Sequence, residues 1–475
     1  MSTSLKPIRV AIGTFIGLLV LAAIALLLFL DANAFKPRFE AVVSEIFGME
    51  VKVGGRLGVG FFPNVRVTLE DVHIRNRGTE VATAREARIG IDFLSLLHKR
   101  VQIEAIALEH PRIFIERDHD GTFNFEKSAA ARSMLPDLNL AKISLSGGTF
   151  RYVDKQSGRG FEAGDCSLDV SRLQLTERNR PGIMKNLSFT AEAACGEIRT
   201  RDYAASGLRF SVAGQRGVFD LKPVTMRVFD GPGSGSIRAS FTGAVPRYHV
   251  RYSLSPFRIE AFLKHLAPQT VAEGPMDFSA NLSMQGKTVN ALRQTAQGQI
   301  SLRGKHLILN GRDLDRAFAR YESSQNFNLV DVAALLLAGP AGLAVTKGYN
   351  FASNFQGSEG RSEIRTLVSD WKVERGVAQA QDVAMATKQN RVALKGRLDF
   401  VNERFDNVTV ALIDARGCVK AQQTLHGAFK QPVVEKPGAI KSLSGPVVKL
   451  LKQVQQLFPG GACEVFYAGS VASPT

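Results

Sequence analysis

Apolar and polar residues alternate along much of this chain, and that alternation restricts its fold more than any other feature. The segment Met276–Met284 alternates over nine residues without interruption, and Tyr248–Leu254 and Ile143–Ser146 repeat the pattern. A period of two gives a β-strand one apolar and one polar face. Gly- or Pro-containing breaks, such as Gly147-Gly148 and Gly231–Gly233, separate the runs. We therefore predict a mainly β protein of about 20–25 antiparallel strands.

A few short helices are expected between the strands. Residues Phe35–Phe47 place apolar side chains at helical spacing, and Gly48 follows as a stop. Two further short segments, Phe257–Leu266 and Asp313–Tyr321, have the same kind of pattern. These helices are too few to change the mainly β class.

The N-terminal region carries a candidate transmembrane helix. Residues Val10–Leu30 form an uncharged run of 21 residues, which as a helix would span about 30 Å, the thickness of a bilayer core. Lys6 and Arg9 precede this run and Asp31 follows it, so we expect a cytoplasmic N-terminus and an exported body. The alternative is a signal peptide cleaved after Ala32–Ala34. Apolar regions of signal peptides are usually about 7–15 residues long, so we favour a retained single-pass anchor.

The sequence contains no recognisable catalytic or metal-binding motif. The histidines lack metal-ligand spacing, and there is no G-x-S-x-G or Walker motif. Asp118–Gly121 begins like a calcium loop, but Ala129 stands where the loop needs glutamate, so a hairpin turn explains it better. Gly231–Gly235 resembles a phosphate loop only in composition, since Pro232 lacks an N–H. We expect no enzymatic activity, no catalytic residues, no metal and no cofactor.

The net charge of +16 does not indicate nucleic-acid binding, because Lys and Arg are spread through the strands of an exported body. Residues Arg416–Lys452 are the exception, with seven basic residues and one acidic residue. They overlap an amphipathic stretch, Pro446–Phe458. We predict contact with an anionic membrane surface through Lys441, Lys449 and Lys452. A solvated basic segment that only aids solubility explains the same residues equally well.

The four cysteines fit an exported protein. Cys166 and Cys195 are 29 positions apart, and Cys418 and Cys463 are 45 positions apart. Four cysteines allow three pairings, and we expect the two sequence-local disulfides, Cys166–Cys195 and Cys418–Cys463. Four reduced thiols are the alternative.

Several short motifs, taken in order, resemble the AsmA family of Gram-negative envelope proteins, which are related to chorein-type lipid bridges. The N-terminal motifs are FGMEVKVG at 47–54, FPNV at 62–65, LEDVHI at 69–74, AR at 84–85, LEHPRI at 108–113 and DGTFNF at 120–125. The C-terminal motifs are GQI at 298–300, Trp371, GVA at 376–378, GC at 417–418 and CEVFYAGS at 463–470.

The resemblance implies a transmembrane helix followed by a long, curled antiparallel sheet whose apolar face forms a groove. It also implies an inner-membrane protein with its body in the periplasm, which conducts phospholipid toward the outer membrane and supports outer-membrane biogenesis. The implied partners are phospholipids, the inner membrane through the anchor, and the outer membrane or an outer-membrane assembly factor. A non-enzymatic scaffold or regulator of outer-membrane protein assembly is the alternative. An ordinary sandwich with a filled core would show the same alternation.

The predicted organisation has five parts: a cytoplasmic tail at 1–9, a transmembrane helix at 10–30, an N-terminal AsmA/chorein-like region at 31–130, a middle groove at 131–297 and a C-terminal region with a disulfide-closed tail at 298–475. Alternating apolar positions are the candidates for the groove lining: Val101, Ile103, Ile113, Ile115, Ile143, Leu145, Leu187, Phe189, Met276, Phe278 and Leu282.

Overall fold

The chain forms two compact units, Met1–Leu175 (unit 1) and Thr176–Thr475 (unit 2). The computed structural model describes residues 32–60, 65–92, 103–126, 139–175, 183–201, 203–264, 272–311, 313–324, 336, 360–435 and 463–474. Both units are mainly β, and 22 strands lie in this described part of the chain. The mainly β class with few short helices is therefore confirmed. The finer boundaries predicted near residues 130 and 297 stay predictions.

Unit 1 contains one α-helix, preceded by a 3-10 turn at Ala32–Phe35, and eight strands among its described residues. Helix α1 is Lys36–Phe47, and the strands are β1 Glu50–Val53, β2 Leu57–Gly60, β3 Val65–Asn76, β4 Thr79–Ile91, β5 Ile103–Glu109, β6 Arg112–Arg117, β7 Asn139–Asp154 and β8 Arg159–Leu175. Strands β1 and β2 pair with β3, and β3 pairs with β4. Strands β5 and β6 lie between β4 and β7, and β7 pairs with β8.

The predicted helix Phe35–Phe47 agrees with α1 to within one residue. Pro37 lies in its first turn, and Gly48 ends it in the left-handed conformation with φ of 66°. The Glu40 carboxylate accepts a hydrogen bond from Val53 N–H at 2.8 Å. Phe39 packs against the small core between β1, β3 and β4. The helix therefore covers one end of the unit 1 sheet.

The prediction of an antiparallel sheet is wrong for two pairings. Strands β5 and β6 each pair with β7 in parallel. The chain leaves β6 at Arg117 and enters β7 at Asn139, and a connection of that length lets the chain return in the same direction, which a tight hairpin cannot do. Alternation within a strand carries no information about the direction of its partner.

Unit 2 is an antiparallel meander. Its strands are β9 Leu187–Thr200, β10 Ala204–Gln215, β11 Val218–Val228, β12 Gly231–Ser240, β13 Arg247–Arg258, β14 Ala272–Glu273, β15 Pro275–Gln285, β16 Gln297–Asn310, β17 Arg361–Glu374, β18 Val377–Ala386, β19 Arg391–Asp399, β20 Arg404–Ile413, β21 Val419–Ala428 and β22 Gln431–Val434. Its helices are α2 Ile183–Asn186, α3 Ile259–Leu263, α4 Val289–Thr295 and α5 Leu314–Ser324. Strand β15 pairs with β13 and β16, and the short β14 pairs with β16.

A closed core fills one face of unit 2 from the end of β13 onward. Helices α3 and α5 contribute Phe262 and Phe318, which are 1% and 0% exposed. Strands β17 and β20 contribute Ile364 and Leu412, which are both fully buried. The predicted helix Phe257–Leu266 is shorter in the structure, because Phe257 still belongs to β13 and pairs with Met276.

The C-terminal tail, residues 463–474, covers the opposite face of the same strands. Val471 of the tail is fully buried and packs with Tyr467 against Val368, Ala393 and Ile413. A disulfide joins Cys418 to Cys463, with Cα atoms 6.0 Å apart. The predicted disulfide at the tail is thus present. None of the four cysteines is free, and the pairing of Cys166 with Cys195 stays a prediction.

The predicted anchor, one groove candidate and the predicted membrane-surface lysines fall on residues that the structure does not describe. Residues 10–30, Val101, Lys441, Lys449 and Lys452 lie outside the described residues. Within the described ranges, the helices are too short or too polar to cross a bilayer.

Candidate functional site

Apolar side chains of unit 2 form continuous rows across strands β9–β15 on one face of the sheet. The strand register defines an aliphatic row of Ala191, Val212, Leu221, Ile237, Val250 and Leu282. The next row toward the closed core consists of Ala193, Phe210, Val224, Gly235, Tyr252 and Ala280. We call this surface the apolar face of β9–β15.

The apolar face is partly exposed along its aliphatic row. Val212, Leu221, Ile237, Val250 and Leu282 are all partly exposed, whereas Ala191 is buried. In the same unit, Leu394 and Leu412 of the closed core are 2% and 0% exposed. Apolar surface that stays partly exposed over several neighbouring strands is costly in water, which makes this face a candidate binding surface.

Aromatic rings line both ends of the strands that carry this face. At one end, Phe219 lies between Phe189 and Phe241, with ring centroids 5.7 and 5.6 Å away, and Phe241 meets Tyr248 at 6.1 Å. At the other end, Phe229 packs edge-on against Phe262 at 5.1 Å. The first aromatic group borders the open face, and the second joins the closed core. The face is therefore bounded by rings on two sides.

The glycines of strand β12 leave room for the Tyr252 ring on the apolar face. Tyr252 pairs with Gly235 and lies over Gly233. A Cβ at Gly233 would overlap the Tyr252 hydroxyl oxygen, and one at Gly235 would overlap the Arg251 carbonyl. Glycine is therefore required at both positions for this close approach.

The Tyr252 hydroxyl is buried and has no hydrogen-bond partner within the described part of the chain. Burial raises the pKa of this phenol above its ordinary value. Its surroundings are apolar: Tyr252 packs against the closed core, whose neighbouring members are Leu254 and Phe257. The Tyr252 ring therefore lies at the boundary between the apolar face and the closed core.

The candidate groove residues of unit 1 also form cross-strand rows. Ile143 pairs with Ile106, and Leu145 pairs with Leu108. Ile113 and Ile115 pair with Phe150 and Tyr152, and Ile103 pairs with Ile91. All five candidates, Ile103, Ile113, Ile115, Ile143 and Leu145, are partly exposed. Unit 1 therefore has an apolar surface of the same kind.

The unit 2 candidates fall in different places. Leu282 lies in the aliphatic row, Phe189 lies in the aromatic border, and Leu187 is partly exposed at the start of β9. Phe278 and Leu282 are both partly buried and pack against the closed core, and Met276 is inside it at 2% exposure. As groove-lining residues, all five stay predictions.

Sequence reasoning missed the centre of the face, which is formed by Leu221, Ile237 and Val250. Ile237 follows the glycine-rich run 231–235, which was interpreted as a break but begins strand β12. The other predicted break, Gly147-Gly148, lies inside β7, where the register shifts at a bulge. The polar–apolar alternation that resumes at Ser236–Ala239 was the signal that could have revealed β12.

The opposite face of β13–β17 carries a polar cleft of about 780 Å³. Its hydroxyl–carboxylate pairs are Ser255 with Asp277 and Ser301 with Asp370, each 2.5 Å apart. Arg303 donates to Asp370 at 2.7 Å. No histidine lines this cleft, and within the described ranges no cluster of His, Cys, Asp and Glu could hold a metal ion. The polar side chains of the cleft are thus bonded to one another across neighbouring strands.

The described part of the chain is a large β-sheet with a partly exposed apolar face. The AsmA family model matches residues 1–182, a range that contains all of unit 1. This match confirms the resemblance to the AsmA family over residues 1–182. A comparison with curated proteins found no match for the chain.

Proposed function

We propose that the apolar face of β9–β15 binds the acyl chains of phospholipids and that the protein conducts them between the inner and outer membranes. The observation that carries the proposal is the contrast within unit 2 between the partly exposed aliphatic row and the filled core beside it. The family match and the large sheet fit an envelope role of this kind. Transport in this manner supports outer-membrane biogenesis and needs no catalytic group or cofactor.

This surface suits acyl chains because it is apolar and continuous across six strands. Each methylene that leaves water on the face contributes about 0.8 kcal/mol. Neighbouring strands lie about 4.8 Å apart, so the six-strand aliphatic row offers a chain several contacts in sequence. Aromatic rings at the border, such as Phe219 and Tyr248, confine a chain to this row.

The proposed location is the inner membrane. Residues 10–30 anchor the protein as a single span with a cytoplasmic N-terminus, and the chain from residue 31 onward lies in the periplasm. Lys441, Lys449 and Lys452 bring the C-terminal part to an anionic surface. Each of these statements rests on the charge and hydropathy pattern of the sequence.

The test is mass spectrometry of lipids that copurify with the full chain in detergent. We compare Ile237→Arg, which puts a charge on the apolar face, with Ser234→Arg, which puts the same charge on the exposed side of the same strand. The proposal predicts stoichiometric phospholipid for the parent and for Ser234→Arg, and clear depletion for Ile237→Arg. Equal lipid in the two variants would contradict it.

A scaffold or regulator of outer-membrane protein assembly is the second candidate. The filled core favours it, because Ile364 and Leu412 are fully buried and cannot hold a lipid. The tail closes the other face of the same strands. Copurification of an outer-membrane assembly factor without phospholipid would support the scaffold and oppose the conduit.

A further inference from the structure

A second cleft, of about 630 Å³, lies at one end of strands β12, β13, β15 and β16. We call it the basic cleft. Arg238, Arg247 and Arg375 line it together with His249, and none of its 12 lining residues is acidic. The polar cleft near Asp277 is different, because three aspartates line it. The basic cleft thus concentrates positive charge at one border of the sheet.

Two of the three arginines have no ion-pair partner in the described part of the chain. Arg238 lies 3.4 Å from Asp220. Arg247 and Arg375 are exposed. Glu374 beside Arg375 is bonded to Lys372 at 2.6 Å and also attracts Arg375 without forming an ion pair with it. His249 Nδ1 lies 2.8 Å from the Ser283 hydroxyl, which places a further polar pair in the cleft. Guanidinium groups with free donors bind phosphate well because their planar fork matches its oxygens.

The basic cleft lies at one end of the strands that carry the apolar face. Its charged side chains belong to the polar side of the sheet, because Arg247 and His249 alternate with Tyr248 and Val250 along β13. Tyr248 and Met284 both line it, and they pair directly across β13 and β15. Tyr248 belongs to the aromatic border through Phe241, and Val250, two residues along β13, lies in the aliphatic row. A ligand with apolar chains on the face reaches Arg247 and Arg375 only around this end of the strands, past Tyr248 and Met284.

We infer that the basic cleft is a phosphate-binding site, with Arg247 and Arg375 as its principal ligands. The lipid form of this inference rests on the proposed function: the phosphate is then the headgroup of a phospholipid whose chains occupy the apolar face. Free inorganic phosphate has the same chemistry and is the other source. The two sources predict different binding results.

The experiment measures binding to the full chain in detergent, using dihexanoylphosphatidylglycerol, dihexanoylglycerol and inorganic phosphate as separate probes. The test variant is Arg247→Gln/Arg375→Asn, with asparagine chosen because residue 375 has φ of 50°. The control is Arg361→Gln/Lys430→Gln, which removes the same charge from exposed positions outside the basic cleft. The fluorescence of Trp371, the one tryptophan in the chain, verifies folding. The two single variants serve if the double variant does not fold.

The parent should bind the phospholipid about tenfold more tightly than dihexanoylglycerol. The test variant should lose that advantage while its affinity for dihexanoylglycerol stays unchanged, and the control should behave as the parent. Arginine-dependent binding of inorganic phosphate alone would assign the site to free phosphate.

Equal phospholipid affinity in the test and control variants would overturn the site. If dihexanoylglycerol still bound in that case, the proposed function would survive. Failure of every probe to bind the parent would overturn both proposals.

Discussion

The buried hydroxyl of Tyr252 is the least expected group on the apolar face. The chain contains 30 phenylalanines and 7 tyrosines, and phenylalanine is its usual aromatic residue against the core. The Tyr252 hydroxyl oxygen is nevertheless buried over Gly233 without a hydrogen-bond partner among the described residues. An unsatisfied buried hydroxyl destabilises the folded state. The side chain is therefore not optimised for stability alone.

Replacing Tyr252 by phenylalanine should stabilise unit 2. Removal of the unpaired hydroxyl should raise the free energy of unfolding by about 1 kcal/mol, because the ring keeps its packing and no hydrogen bond is lost. Denaturant unfolding followed by Trp371 fluorescence measures the change. Tyr248→Phe is the control, since Tyr248 is only partly buried and its change should be within about 0.5 kcal/mol. A less stable Tyr252→Phe protein would show that the hydroxyl has a partner.

At the scale of elements, Asp382 of β18 holds the C-terminal tail against the sheet. Its carboxylate accepts hydrogen bonds from the Tyr467 and Ser470 hydroxyls at 2.5 Å, and Arg391 Nη1 donates to the Val471 carbonyl at 2.9 Å. Burial tends to raise the pKa of Asp382, but the hydrogen bonds from Ser470 and Tyr467 outweigh it and hold the pKa below its usual range. The folded state therefore favours the ionised carboxylate.

This pKa shift predicts a pH-dependent attachment of the tail. A carboxyl group with a lowered pKa in the folded state stabilises it above the unfolded pKa, near pH 4, and loses that contribution as the pH falls through the folded value. Asp382→Asn should cost about 1 kcal/mol at pH 7, because the site is partly exposed. Unfolding measured from pH 7 to pH 2 should show the difference from the parent shrinking toward zero.

Asp406→Asn is the control for this titration, since Asp406 pairs only with an exposed arginine, Arg397. It should have little effect at pH 7. A difference between Asp382→Asn and the parent that stayed constant down to pH 2 would contradict the role assigned to the ionised carboxylate.

Arginine substitutions should separate the apolar face from the closed core. Ile237→Arg should leave the protein folded, because a partly exposed arginine can extend its charge to water along the open face. Leu412→Arg should unfold unit 2, because burial of an unpaired charge at a fully buried position costs several kcal/mol. Circular dichroism and Trp371 fluorescence report both outcomes. Equal stability of the two variants would show that the faces do not differ.

The contrast between the apolar face and the closed core shows which features could be predicted from the sequence. Period-two alternation located β15 and most of β13, because each strand exposes one face and covers the other. It could not show that Met276 would be buried inside a closed core while Leu282, on the same strand, stays partly exposed at its margin. That difference depends on α3 and α5, which pack over one end of the strands. Parallel pairing of β6 with β7 was equally hidden, since it depends on the connection between them.

At the scale of the whole molecule, the family match and the open face come from different parts of the chain. The match covers residues 1–182, and the aliphatic row lies in unit 2. Unit 1 carries its own partly exposed rows, such as Ile106 with Ile143. A conduit requires both surfaces to contact lipid. A scaffold requires neither.

Photo-crosslinking in living cells tests the central claim most directly. A photoreactive amino acid is placed in the full chain at Val250, on the apolar face, or at Arg251, the next residue on the exposed polar side. Illumination followed by mass spectrometry identifies what each position touches. The account predicts phospholipid adducts at Val250 and few or none at Arg251. Absence of phospholipid at Val250, or equal yields at the two positions, would contradict it.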